Sequence, residues 1–321
     1  MPRETILLTG ADGQIGSELT TRLRHQFGEA NVIATDVHER PGHLPEGPYA
    51  RLDVTDRATL AKLMAKYRPT QIYHLASLLS ATGERKPELA WEVNVGGLLH
   101  ILDACREYGT RLFWPSSIAV FGPNTPRDQT PQRTIIDPVT VYGISKLAGE
   151  RWCAYYQEKH GMDIRGLRYP GLISYGTPPG GGTTDYAVAI FDDAIQQGSY
   201  SCYLRKDAAL PMMYMEDALR GTLELMNAPA EKMQTLEAYN FTAMSFTPAE
   251  LAASIKQRIP GFSITYAPDE RQAIADSWPS SIDDSVARAE WGWKPAYDLD
   301  KTVDTMLAGV RASLDASVAQ D

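Results

Sequence analysis

The sequence predicts an α/β fold, a doubly wound parallel sheet with a smaller C-terminal lobe. Two observations carry this. Short β-branched, apolar runs alternate with helix-length segments through residue 169, and the alternation then breaks at a stretch rich in Gly and Pro. At 321 residues the chain exceeds the usual size of one compact domain, which also favours a main domain with an appended lobe.

Strands are expected at 5–9, 31–35, 50–54, 71–76, 111–114 and 164–167. Helices are expected at 15–27, 56–67 and 87–108, the last closed by Gly109 where a left-handed residue ends a helix. After Tyr169 comes PGLISYGTPPGGGTTDYA, and helical segments resume at 187–197 and 216–226. FTPAELAASIKQRIP and DSWPSSIDDSVARAEWGWKP are too irregular to continue the strand–helix rhythm. The division is therefore 1–169 for the main domain and 170–321 for the lobe, with later segments returning to the first. No internal repeat or like-charge block is present.

Composition narrows the function. Hydrophobic residues make up 43% and charged residues 22%, and no apolar run is long enough for a bilayer, so membrane insertion is not expected. A net charge of −9 opposes phosphate-tracking nucleic-acid binding. The start, MPRETILLTG, has no signal-peptide pattern, and a cytoplasmic location is expected. Cys105, Cys153 and Cys202 are far apart and lack ligand spacing, and the six histidines form no metal motif. Buried thiols and metal-free chemistry are expected.

TILLTGADGQIG sets Gly10, Gly13 and Gly16 at the end of the first strand and the start of the first helix. Gly10 suits a sharp turn, Gly13 a close approach of backbone to pyrophosphate, and Gly16 tight helix–strand packing. With Gln14 and Ile15 they form a phosphate-binding loop at a helix N-terminus, as in Rossmann sheets. Asp36 ends the second strand at VIATD, where a carboxylate accepts both ribose hydroxyls and repels a 2′-phosphate, favouring NAD over NADP. Arg40, a nearby cation, tempers that preference. Asp53, Val54, Leu75 and Ala76 sit at later strand ends, at the edge that meets the cofactor, and Tyr169 joins the cofactor set. His74 reads as a packed strand histidine.

TVYGISKLAGE spaces Tyr142 and Lys146 four apart, on one face of a helix. A phenol near its ordinary pKa of ~10 is a poor base, but an adjacent ammonium and the positive nicotinamide ring both favour the phenolate. Lys146 also offers donors to a ribose. In FWPSSIAVFG, Ser116 and Ser117 lie just beyond the fifth strand, where a hydroxyl can hold a substrate alcohol.

The ordered set of glycine loop, terminal Asp, strand-end Ser and Tyr-x-x-x-Lys resembles the extended short-chain dehydrogenase/reductase superfamily. The resemblance implies that Ser117 is the catalytic serine and that Asn94, in WEVNVGG, lies near the cofactor. Ser117 is followed by Ile118 and Ala119 rather than an acidic pair, which disfavours sugar dehydration.

LASLLSATGE, LRYPGLISY, GGGTTDYAV and RQAIADSWPSSIDDSVARAEWGW resemble the short-chain-type L-threonine 3-dehydrogenase family. That resemblance implies NAD-dependent oxidation of L-threonine, with Ser80, Thr183, Thr184 and Asp185 near substrate on loops, the glycine-rich one closing to exclude water. Trp278 reads as a packed aromatic or as a shield for the pocket. A homodimer through the helices around 87–108 and 142–160 is implied as well. Two other readings stay open: a nucleotide-sugar 4-epimerase, for which Arg205 and Lys206 offer cations, and a non-catalytic NAD-binding sensor or scaffold.

Overall fold

The computed structural model describes residues 4–176 and 182–318. Its central sheet has seven strands. β1 (Ile6–Thr9) lies at the centre, flanked by β2 (Val32–Asp36) on one side and β4 (Gln71–His74) on the other. β3 (Tyr49–Arg51) closes the β2 side, while β5 (Arg111–Ser117), β6 (Ile164–Tyr169) and the short strand Tyr239–Asn240 extend the β4 side.

Ile6 faces Val32 on β2 and Gln71 on β4, both in parallel register, and β2–β3 and β4–β5 are parallel too. Every residue of β1 and β2 is buried, because helices cover both faces of such a sheet. The strand order reverses between β1 and β4, so a crevice opens at their carboxyl ends.

Six helices and one turn matter for the site: α1 (Gln14–Phe27), α2 (Arg57–Tyr67), α3 (Ser80–Arg85), α4 (Pro87–Trp91), α5 (Gly97–Tyr108) and α6 (Val141–His160), with a π-helical turn over Glu92–Gly96 joining α4 to α5. Four features differ from the sequence expectation. The helix over 87–108 is interrupted by that wide turn, and α3 precedes it. Asp56, placed inside α2, is instead its N-cap, accepting from Ala58 N at 3.0 Å and Thr59 N at 3.1 Å. The third strand stops at Arg51, because Asp53 leaves the ladder to accept from Thr55 N and Thr55 Oγ1. β5 runs on through Ser117 rather than ending at Trp114. Gly109 closes α5 with φ 67°, as expected.

The core between sheet and helices gathers Leu7, Ile33, Ile72 and Leu112 from the strands and Leu60, Met64, Leu98, Ile101 and Leu102 from α2 and α5. Burial of such side chains stabilises by about 1.5–3 kcal/mol each. Cys105, Cys153 and Cys202 are buried and unpaired.

The chain divides into two compact units. The first holds Met1–Val120, Pro138–Arg168 and Leu219–Tyr239; the second holds Phe121–Asp137, Tyr169–Ala218 and Asn240–Asp321. Within the second, Leu210–Tyr214 pairs with Met244–Phe246 and Gly171–Ile173, and Ser199–Cys202 pairs in parallel with Ser263–Tyr266. FTPAELAASIKQRIP forms a regular helix, Pro248–Arg258, fixed by a Thr247/Glu250 capping box. Trp293 anchors this unit, its Nε1 donating to Thr242 O and Asp284 Oδ2 and its ring 4.4 Å from that of Phe241. No described helix is long and apolar enough to cross a membrane.

Candidate active site

The glycine loop fits a dinucleotide. Gly10 has φ +75°, and a Cβ there would lie 2.7 Å from Ala76 N, so the turn out of β1 is open only to glycine. A Cβ on Gly16 would lie 1.9 Å from Gly10 O. At Gly13 the nearest atom to an added Cβ is Gly10 O at 3.4 Å, which leaves its outer side open. Gly13 N-caps α1 without a side-chain hydrogen bond, so the first-turn N–H groups, Gln14 and Ile15 among them, point toward an incoming anion.

Asp36 is buried at the end of β2. Its Oδ2 accepts from Asp12 N at 3.0 Å and its Oδ1 from His38 N at 3.3 Å, so it braces the glycine loop. Arg40 does not offer a free cation to a 2′-phosphate: its guanidinium pairs with Glu46 at 3.2 Å and donates to Leu44 O and Pro45 O. Asp36→Ala is expected to raise the KM for NAD roughly tenfold or more and to relax coenzyme preference, since a charged hydrogen bond contributes about 1.5–3 kcal/mol. Steady-state kinetics with NAD and NADP check this, and unchanged NAD kinetics would remove Asp36 from the site.

The other cofactor candidates act mainly through backbone and packing. Leu75 and Ala76 lie under Gly10. Val54 packs on Gly97, where an added Cβ would come within 2.6 Å of its Cγ2. Asn94, in the π turn, accepts from Leu78 N and Ser77 Oγ and donates to Leu78 O and Ser145 Oγ. All four of its polar valences are thus used inside the protein. It pins the loop after β4 to α6 and has no spare donor or acceptor for a cofactor. Tyr169, in the second unit, packs on Phe241 at 5.9 Å.

Ser117 and Tyr142 meet because α6 approaches the turn after β5 closely. A Cβ on Gly143 would lie 2.1 Å from Ala119 O, so only glycine lets the helix sit there. Thr140 N-caps α6 through Gly143 N, and Glu84 of α3 accepts from Val141 N at 2.7 Å, which ties α3 to the same helix end. Ser80 is therefore helical rather than in a loop.

Lys146 is buried, donates to Pro115 O at 2.7 Å, and lies 4.8 Å from the Trp114 ring centroid and 5.5 Å from that of Tyr142. Burial dominates the electrostatics of the protein groups. Burial pushes the Tyr142 phenol up to about 12, with its hydrogen bond to Ser117 acting the other way. Burial also lowers Lys146 to about 7, opposed by Cys153 and Glu150. With protein groups alone, desolvation outweighs the opposing effect of Ser117 on the phenol. His74 is a packed residue, as expected: Nδ1 lies 2.7 Å from Thr9 Oγ1 and burial lowers its pKa to about 3.

In the second unit, Thr183, Thr184 and Asp185 precede the helix Tyr186–Gln196. Asp185 closes their turn, accepting from Gly182 N at 2.8 Å, and Thr184 packs on Gly171. Trp278 is buried, as a packed aromatic is. The glycine-rich segment 177–181, to which loop closure was ascribed, lies outside the described residues. Sequence reasoning missed Glu150 and Arg168, a buried ion pair behind the site; the signal for Glu150 was its place one further helical turn beyond Lys146.

A dinucleotide crevice with Ser117, Tyr142 and Lys146 in one structural unit defines a class of NAD-dependent enzymes. The model of the NAD dependent epimerase/dehydratase family matches residues 6–240, and the chain belongs to that family. NAD is the cofactor, and the glycine loop and Asp36 fit it. More particularly, the chain is 50% identical over 304 residues to the mitochondrial L-threonine 3-dehydrogenase of Sus scrofa, covering 94% of this chain and 81% of that one. It is 55% identical to the GalE-like L-threonine dehydrogenase of Cupriavidus necator in its holo form, with a TM-score of 0.92 over 95% of this chain and 99% of that one. A monomeric L-threonine 3-dehydrogenase from a metagenome database, in apo form, is 44% identical with a TM-score of 0.92, over 96% and 99%.

Proposed function

We propose that the chain is an NAD-dependent L-threonine 3-dehydrogenase, oxidising the 3-hydroxyl to 2-amino-3-oxobutyrate with formation of NADH. The observation that carries this is the grouping of Ser117, Tyr142 and Lys146, with Ser117 acting to lower the Tyr142 phenol and Lys146 Nζ 5.5 Å from its ring centroid, in a chain about half identical to named L-threonine dehydrogenases. NAD, when bound, accepts the hydride, and its cationic ring favours the Tyr142 phenolate. Tyr142 takes the hydroxyl proton as general base. Ser117 holds the substrate oxygen, and Lys146 supplies positive charge and a donor for ribose. Ser80, Thr183 and Thr184 are assigned to the substrate's charged groups, and Asp185 to ordering the turn that presents the threonines.

Mixing the protein with NAD and L-threonine tests the reading through NADH absorbance, with L-serine, allo-threonine and a UDP-sugar as controls. Threonine-specific reduction is expected; no NADH from any of these alcohols despite tight NAD binding overturns it. Thr184→Ala is expected to raise the KM for threonine about tenfold, the order of one lost polar contact, with NAD affinity unchanged. An unaltered substrate profile would remove Thr184 from the pocket.

We assign a homodimer to the exposed apolar residues Leu89 and Trp91 on α4 and Ile144 and Tyr155 on α6. Sedimentation checks it, and a monomer at micromolar concentration would overturn it. The three unpaired buried thiols favour a reducing, cytoplasmic setting for a pathway of threonine breakdown.

A further inference from the structure

The chemistry above leaves the buried ion pair of Glu150 and Arg168 without a task. Tyr142, Lys146 and Glu150 recur at intervals of four along one face of α6. The Glu150 side chain is 1% exposed, and so is that of its partner Arg168 on β6. Oε1 of Glu150 accepts from Arg168 Nε at 2.9 Å and from Ser116 Oγ at 2.6 Å; Oε2 accepts from Arg168 Nη2 at 2.8 Å. Ser116 is the residue next to Ser117. One carboxylate therefore joins the strand that carries Ser117, the helix that carries Tyr142 and Lys146, and the neighbouring strand β6.

A buried ion pair is a weak source of net stability, since desolvation offsets most of the attraction. Its location is more informative than its strength. We infer that Glu150 is a positioning residue for the reaction: through Ser116 it fixes the angle at which Ser117 meets Tyr142, and through its charge it keeps Lys146 in the ammonium form. The inference rests on the assignment of Tyr142 and Lys146 given above.

The charged surroundings of Lys146 support the second half. His74 at the end of β4 is held neutral by burial, and the Tyr142 phenol is pushed up to about 12. Cys153 and Glu150, on its own helix, both favour the ammonium. Burial drives the Cys153 thiol far upward, so it is uncharged near neutral pH. Arg168 on β6 is spoken for by Glu150, with Glu237 adding a further negative charge nearby. With the Cys153 thiol uncharged, Glu150, one helical turn further along α6, is the neighbour left to favour the ammonium.

Two substitutions separate geometry from charge. Ser116→Ala cuts the tie to the strand and leaves the ion pair intact. It is expected to lower kcat about tenfold with the KM for NAD unchanged, as for a slightly misplaced group, and Ser116→Thr is expected to restore it. Glu150→Gln keeps an acceptor for Ser116 and removes the charge. In protein labelled with 13Cε-lysine, without substrate or cofactor, the Lys146 resonance is expected to titrate about one unit below its wild-type midpoint. The alkaline limb of the kcat–pH profile, where Lys146 loses its proton, is expected to shift to lower pH as well. If the single variant does not fold, Glu150→Gln with Arg168→Met removes both buried charges, and a smaller downward shift is expected, because the lost guanidinium had opposed the ammonium. A wild-type kcat in Ser116→Ala overturns the positioning half. An unmoved lysine midpoint, with a rate loss equal at every pH, overturns the electrostatic half and leaves a scaffold. Full activity in Tyr142→Phe would instead overturn the base assignment, and the lysine midpoint reports independently of it.

Discussion

Tyr142→Phe is expected to lower turnover with L-threonine about a thousandfold while leaving the dissociation constant for NAD within a factor of about two, a general base contributing about 10²–10⁴ in rate. The substitution removes one oxygen and keeps the ring that packs beside Lys146. Ser117 Oγ still accepts from Ala119 N at 3.2 Å, so the strand end has a reason to stay in place. The pH dependence is the sharper readout. With protein groups alone the phenol stands at about 12, so a base that must be deprotonated gives a rate rising with pH until cofactor and lysine bring it into range. That rising limb is expected to vanish in Tyr142→Phe. A variant with wild-type rate, or one keeping the same limb, would exclude Tyr142 as the base. Turnover measured across pH, with NAD binding by fluorescence, decides it.

Gly16→Ala is the second large effect expected, and it has a different origin. The new methyl would fall 1.9 Å from Gly10 O, 2.9 Å from Gly10 C and 3.0 Å from Ala11 Cα, all backbone, so no rotamer relieves the overlap. The loop or helix must move, at a cost of about 1–3 kcal/mol or more. A melting temperature lower by roughly 5 °C is expected, together with at least a tenfold loss of NAD affinity. Gly96→Ala serves as the control, because a Cβ there meets nothing within 4 Å. Equal behaviour of the two variants by calorimetry and NAD titration would show that the approach of α1 to the turn after β1 is not what Gly16 provides.

Local rules made much of the first unit legible. β1 and β2 read as apolar runs because both faces of the sheet are covered, and Gly109 marked the end of α5 because few other residues adopt its backbone angles. The loop glycines and Asp36 were legible for the same reason, their chemistry being local to one strand–turn–helix. The rest depended on distant partners. Nothing near Ser116 or Glu150 announces Arg168, which arrives from another strand. Asn94 read as a cofactor neighbour, whereas Leu78 and Ser145, sixteen and fifty-one residues away, take up its amide. Tyr142 shows the same limit: spacing disclosed the neighbouring ammonium, while the desolvation that outweighs it depends on burial.

The wide turn over Glu92–Gly96 has a consequence for how this region tolerates change. An α-helix advances about 100° per residue, so the one additional residue held in a π turn resets the angular phase between the segments on either side. Ala90 before it and Leu98, Ile101, Leu102 and Cys105 after it are all buried. Deleting one residue of 92–96 would remove the extra residue that the wide turn absorbs and favour an ordinary α-helical turn, displacing Asn94 from its partners on the loop after β4. What this stretch must keep is both its length and the amide of Asn94.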